Sequence, residues 1–328
     1  MFALLGNVCG AVARRPGAMP LPSPLTITAS GTEDFTLPTE LRWKASLSAT
    51  CMHAALCQRA GVPAADEQVA AALDRPIADL LTEIQEALWP LDATLAQLAS
   101  LSAEYENNVE LVTRVVARLR IETAAGLIKR VAGALADVET ALHRARPEIV
   151  EELAVRGGPL RQQWDARGPG MLREIARLTD ESVVPESAEV VLVAPYVGGH
   201  GLAHPAQNRV TIEAVLVNPH PDLPEAVRLA WLVSQLNGDL PPLADVLPAD
   251  VRARIVPLAM LAPAVAAGAA VELTADGEAA VESALDAWRV RADLPADVGA
   301  KLWQWWSAWV EGAGRWPVAV AALAQMLR

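Results

Sequence analysis

The chain has 328 residues, of which 52% are hydrophobic, and a formal net charge of −12. That length and apolar content describe a folded protein with a substantial core, not a disordered chain. The acidic balance lacks the positive field that phosphate backbones and anionic lipids require, so neither nucleic acid nor a membrane is expected as a partner.

The N-terminus, MFALLGNVCGAVARR, places its arginines after the apolar residues, the reverse of a secretory signal. Its cysteine also comes too early for a lipoprotein site. Three cysteines, Cys9, Cys51 and Cys57, are too few for a disulfide framework and suit a reducing compartment, so a cytoplasmic location is expected. Residues 1–38, rich in Pro, Gly, Ser and Thr, are expected to form an irregular leader. From Thr39 to Val155 the pattern is almost wholly helical. PIADLLTEIQEALW repeats apolar residues at spacings of three and four, with Pro76 placed for a first turn. Leu91 to Ala145 fits two long antiparallel helices with apolar stripes.

The pattern changes at Arg156–Met171, where Gly157-Gly158 and Gly168-Pro169-Gly170 are expected to break helices. After the helical MLREIARL, the segment AEVVLVAPYVGGHGLAHPAQNRVTIEAVLVNP is the one strongly strand-like region. Val190–Val193 is an unbroken apolar run. In the next strand Val210, Ile212, Ala214 and Leu216 alternate with Thr211, Glu213 and Val215. GGHGLAHPAQN fits a loop between them. LPEAVRLAWLVSQL, Leu223–Leu236, then forms a helix apolar nearly all round, entered through Asp222, Pro224 and Glu225 in a capping-box variant and closed by Gly238. Ile255–Val271 is uncharged but short for a membrane span, and Pro257 and Pro263 make it a kinked core helix or helix pair. The fold class is therefore α+β and predominantly helical. Residues 39–155 form a helical region and residues 156–328 an α+β region, with a small sheet at about 189–217.

Three of the five histidines, His200, His204 and His220, fall in or after the glycine loop and are candidate metal ligands, with Glu213 or Asp222 as a fourth. The competing reading is exposed turn histidines. In CMHAALC, residues two apart point to different helix faces, so of Cys51, His53 and Cys57 only His53 and Cys57 can share a ligand. Buried cysteines acting as small hydrophobes explain the same residues. No Gly-x-Ser-x-Gly elbow, P-loop or dinucleotide fingerprint occurs, so no cofactor is expected. Near the C-terminus, KLWQWWSAWV places Trp303, Trp306 and Val310 on one helical face and Trp305 and Trp309 on another. Such a helix is either buried on both sides or has one face left for a partner.

The order MLREIARL, EVVLVAP, GGHGLAHPAQN, NRVTIEAVLV and LPEAVRLAWLVSQL resembles the zincin metallopeptidases, over roughly a fifth of the chain. There a helix precedes a strand, a loop leads to an edge strand, and the active-site helix follows. The family's active helix carries His-Glu-x-x-His, which supplies two zinc ligands and the general base. The matching residues here are Arg228, Leu229, Ala230, Trp231 and Leu232, or one residue later, and neither register holds a ligand or a base. The resemblance therefore implies a zincin-like fold without the peptidase chemistry. A guanidinium inside an apolar helix needs a carboxylate, and Glu213 on the preceding strand is the expected partner of Arg228 in the degenerate site. The expected function is non-catalytic, an interaction or scaffold protein of pseudo-metallopeptidase type whose partner is a protein. Two alternatives stay open. One is a metal-dependent hydrolase using His200, His204 and His220, and the other is a small-molecule binder with an apolar pocket between the two regions.

Overall fold

The computed structural model describes residues 39–291, 294–312 and 314–328, and its first element is a strand where helix was expected. The leader assigned to residues 1–38 lies outside the described residues. β1 (Glu40–Ala45, ELRWKA) alternates in burial along its length, and its Leu41, Trp43 and Ala45 pack on the large C-terminal core. Six residues of period two inside a helical neighbourhood are easily read as helix.

Five helices follow, α1 (Leu47–Arg59), α2 (Glu67–Glu86), α3 (Leu91–Leu101), α4 (Asn108–Leu119) and α5 (Ala125–Ala145). Side-chain caps from Ser46, Asp66 and Asn107 start α1, α2 and α4. In α2 the buried residues Val69, Leu73, Ile77, Leu80 and Ile84 recur every three or four positions, and each buried side chain contributes roughly 1.5–3 kcal/mol. Because Asp66 caps α2, Pro76 lies inside the helix and not in its first turn. The span expected as two long helices is three, since the turns at residues 102–107 and 120–124 divide it.

α6 (Ile149–Arg156) leads into α7 (Gly158–Leu178), which runs straight through Gly168-Pro169-Gly170. Tertiary packing overrides the local breaker here. Gly168 is buried against Trp164, where a Cβ would lie 2.4 Å from Cδ2 of the indole. Pro169 is exposed, so the carbonyl one turn back that loses its partner faces water.

The sheet comprises β1, β2 (Ser187–Val193), β3 (Gly201–His204) and β4 (Arg209–Glu213), in the order β1-β2-β4-β3. β1, β2 and β4 are parallel, and β3 runs antiparallel along the edge beside β4. The expected loop GGHGLAHPAQN thus contains the edge strand itself, and the strand at Arg209–Glu213 is internal.

α8 (Glu225–Val233) packs on β3 and β4, so closely that a Cβ on Gly201 would meet Leu232 Cδ1 at 2.6 Å. Pro224 occupies its N-cap and no side chain caps it. Asp222 instead accepts a bond at its backbone carbonyl from Thr274. α9 (Leu243–Val246), α10 (Ala249–Ala259), α11 (Leu261–Ala270), α12 (Glu278–Ala287), α13 (Val298–Glu311) and α14 (Trp316–Met326) complete the chain. By length and composition the stretch Ala249–Ala270 could cross a membrane, but 67% of its most apolar window is buried. Here it forms the consecutive helices α10 and α11 within the core.

The sheet is covered on both faces. Val190, Leu192, Val210 and Ile212 point into the core built by α7, α8 and the C-terminal helices. Val191 and Val193 point the other way, to Ala49 of α1 and Ala103 after α3. The result is an α+β, predominantly helical architecture in which a small mixed sheet is sandwiched between helical layers.

Gly168 separates packing from helix propensity experimentally. Gly168→Ala should lower stability by about 1–3 kcal/mol through overpacking on Trp164. Gly158→Ala, with open space around its Cβ, should be neutral or stabilise by up to about 1 kcal/mol. Urea denaturation of the two variants checks this, and equal midpoints would contradict it.

Candidate functional site

The most unusual chemistry in the fold lies where the C-terminal end of β4 meets α1. Glu213, the last residue of β4, is fully buried. Its Oε1 accepts from the backbone N–H groups of Tyr196 (2.9 Å) and Val197 (2.8 Å), and its Oε2 from those of Gly198 (2.8 Å) and Gly199 (2.6 Å). His53 Nε2 adds a fifth contact, 2.7 Å from Oε1. Four successive amides can face one carboxylate because Gly198 and Gly199 adopt φ of +89° and +121°, a region closed to most side chains. The carboxylate, in turn, fixes the loop between β2 and β3.

His53 and Cys57 are one turn apart on α1, with Nε2 and Sγ separated by 3.7 Å. His200, at the end of the loop, brings its ring centroid to 5.4 Å from that of His53. Ligand atoms of His53, Cys57 and His200 all lie within 4.8 Å of one another. Nδ1 of His53 and Nδ1 of His200 are buried without a hydrogen-bond partner. Burial opposes charge on His53, but its bonds to Cys57 and Glu213 outweigh burial and raise its pKa to about 9. Burial likewise pushes Glu213 up, yet His53 and the loop amides hold it down to about 2. Burial and the neighbouring His53 depress His200 to about 3, so it is neutral at ordinary pH.

The structure therefore divides the histidines differently from their spacing in the sequence. His204 lies on β3 and bonds Thr211 Oγ1 at 2.8 Å, while burial and Arg209 lower its pKa to about 4. His220 is on an exposed turn whose backbone is held by Asn218. Among the described residues neither joins the group of His53, Cys57 and His200. Cys51 is buried, and burial raises its thiol pKa. Asp222 is exposed. His53 and Glu213 are 160 residues apart in sequence, so no local spacing could have paired them.

Arg228, 1% exposed, bonds Glu225 one turn earlier on α8, with Nη1 at 3.1 Å from Oε2. The expected partner, Glu213, is taken by His53 and the loop amides. Gly199 lies between the two, its N–H on Glu213 and its Cα side against the guanidinium, where a Cβ would be 3.0 Å from Nη1. A second, longer bond runs from Nη2 to Ala287 O at 3.4 Å. Arg228 Nε and Glu225 Oε1 find no protein partner, so this buried ion pair is incompletely satisfied. Every residue of α8 is buried.

Of the tryptophans in α13, Trp305 and Trp306 are buried, whereas Trp303 and Trp309 are half-buried. Trp305 and Trp309 pack around Trp316 and donate to Ala319 O and Leu178 O. Trp303, Trp306 and Val310 line a groove of about 440 Å3 against Leu178, Ala266 and Ala269, with Glu174, Arg177 and Asp276 also lining it. No family model, no curated protein and no solved structure matches this chain.

Two predictions follow from the buried charges. In chelator, Glu213 contributes stability above pH 4.5 that is lost as pH falls through about 2. His200 and His204, neutral in the fold, lose stability as pH falls below 6.5 toward 4 and 3, because the unfolded chain binds those protons more tightly. The His53 contribution is complete below 6.5 and is lost as pH rises through about 9. Denaturation across pH should therefore show a maximum near 6.5, and His53→Gln should remove the alkaline decline. A decline that persists in His53→Gln would assign it elsewhere.

The ion pair of α8 is tested by a double-mutant cycle. Glu225→Leu alone leaves Arg228 unpaired and should cost about 3–5 kcal/mol, whereas the Glu225→Leu/Arg228→Met double variant should fall within about 1 kcal/mol of the parent or above it. Additive losses would show that the two residues act independently.

Proposed function

We propose that this chain is a non-catalytic binding protein on a zincin-like framework, acting in the cytoplasm through a protein partner. The observation that carries the reading is the filling of α8. At the five positions where the peptidase helix would hold its ligands and base, Arg228–Leu232 supply an internally paired guanidinium and buried apolar side chains. No side chain there can bind zinc or activate water. The helix packs on β3 and β4, and the edge strand is β3, not the Arg209–Glu213 strand that the resemblance placed at the edge.

The groove on α13 is the surface best suited to a partner. It offers a half-buried indole at Trp303, an exposed Val310 and a charged rim, the mixture of apolar centre and polar border found in protein interfaces. A small apolar molecule is the other occupant that the groove fits by size.

One preparation tests both halves of the reading. The protein should show no turnover of an unbiased peptide substrate mixture, with or without added zinc. It should enrich binders from a displayed-peptide library, and Trp303→Asp should weaken them at least about tenfold while leaving the melting temperature within a few degrees. Turnover proportional to protein would overturn the non-catalytic reading. A library yielding no binders, or binders indifferent to Trp303→Asp, would overturn the partner surface.

A further inference from the structure

We propose that His53, Cys57 and His200, with the Glu213 carboxylate beside them, form a buried site for a zinc-like divalent transition metal that clamps α1 to the β2–β3 loop. The site does not depend on the function proposed above, because α8 supplies none of its ligands.

The spacing fits the ion. For a tetrahedral zinc with a sulfur ligand at about 2.3 Å and a nitrogen at about 2.0–2.1 Å, the two donors stand about 3.5 Å apart. His53 Nε2 and Cys57 Sγ, one helical turn apart on α1, are 3.7 Å apart. His200 brings a third donor from the loop, and all three ligand atoms lie within 4.8 Å of one another. Closing the triangle needs separations to shorten by up to about 1.5 Å, shared between two side chains in each case. Glu213 Oε1 touches the same nitrogen of His53 at 2.7 Å and brings a negative charge beside the ion, although it stands outside the group of three whose ligand atoms share one space. The amides of Tyr196 and Val197 hold that carboxylate in place.

Charge and burial point the same way. Cys57 as thiolate and Glu213 as carboxylate neutralise a divalent ion, and two neutral imidazoles complete the set, so the buried centre carries no net charge. Binding releases the thiol proton of Cys57 and the proton on His53 Nε2. The donor set of two nitrogens and one sulfur matches the borderline softness of zinc. A ring nitrogen buried without a partner, as Nδ1 of His200 is, is costly in an ordinary core. The ligands come from α1 and the β2–β3 loop, so the ion would join the N-terminal helical layer to the loop that leads out of β2.

The test uses the full chain, made without a histidine tag, saturated with zinc or cobalt and dialysed. Elemental analysis should find about one metal per chain, and the cobalt form should show tetrahedral d–d bands with a thiolate-to-cobalt charge-transfer band. Cys57→Ser should abolish the charge-transfer band. His200→Ala should lower affinity by more than about 100-fold, beyond the loss typical of an outer-shell partner. His204→Ala and His220→Ala should leave both readouts unchanged. Less than about a tenth of an equivalent of metal in the parent, or binding unaffected by Cys57→Ser and His200→Ala, overturns the proposal. If Cys57→Ser does not fold, the parent cobalt spectrum still decides, because absence of a thiolate band removes the site.

Discussion

A buried carboxylate with five hydrogen-bond partners organises the centre of this protein. Glu213 draws four consecutive amides toward itself, and that demand dictates the backbone of residues 196–199, including the two glycines with positive φ. Burying a bare carboxylate would be prohibitive, and the amides together with His53 make it tolerable. The consequences spread outward from there. His200 is delivered next to His53, Gly199 is pressed against Arg228, and α1 is held to the sheet through its own histidine. One side chain therefore ties together a strand, a loop and two helical layers.

The same logic explains why the two faces of the sheet differ. The face toward α7 and α8 is apolar, whereas the face toward α1 and α3 is crossed by hydrogen bonds that tie the sheet to those helices. Lys44 donates to Ala103 O, Arg209 Nη1 donates to Ser100 O at 3.0 Å, and the Ala194 amide donates to Thr50 Oγ1 at 3.2 Å. Such bonds add little net stability individually, but leaving any buried partner unmet is expensive, so the seam permits only one seating of the helices. Apolar contact alone would tolerate sliding. The polar seam fixes register.

Much of the architecture was legible in the sequence because it is periodic. The stripe of α2, the apolar run of β2 and the alternation in β4 each follow from which face is buried. The features that were not legible depend on distant partners. Gly168-Pro169-Gly170 looks like a helix stop, and only the indole of Trp164 against Gly168 and the solvent exposure of Pro169 let α7 continue. β1 is recognisable only once β2 is there to pair with it. Arg228 was matched to the nearest carboxylate on the preceding strand, whereas its partner lies on its own helix at the spacing that brings side chains together. Sequence spacing groups His200, His204 and His220 in one window, and the fold instead joins His200 to the separate His53–Cys57 pair.

These corrections bear directly on how the interior is to be understood. In a zincin-like arrangement the helix beside the edge strand would face a cleft, and its polar residues would point into that cleft. Here Arg228 points into protein, capped by Glu225 and backed by Gly199, and the rest of α8 is core. A helix apolar nearly all round is what results when the cleft side is packed as tightly as the core side. The polar chemistry has not vanished from the interior. It sits at the end of β4 and on α1, enclosed, where it holds structure together. The half-buried Trp303 beside exposed Val310 is one of the places where apolar area remains outside the core.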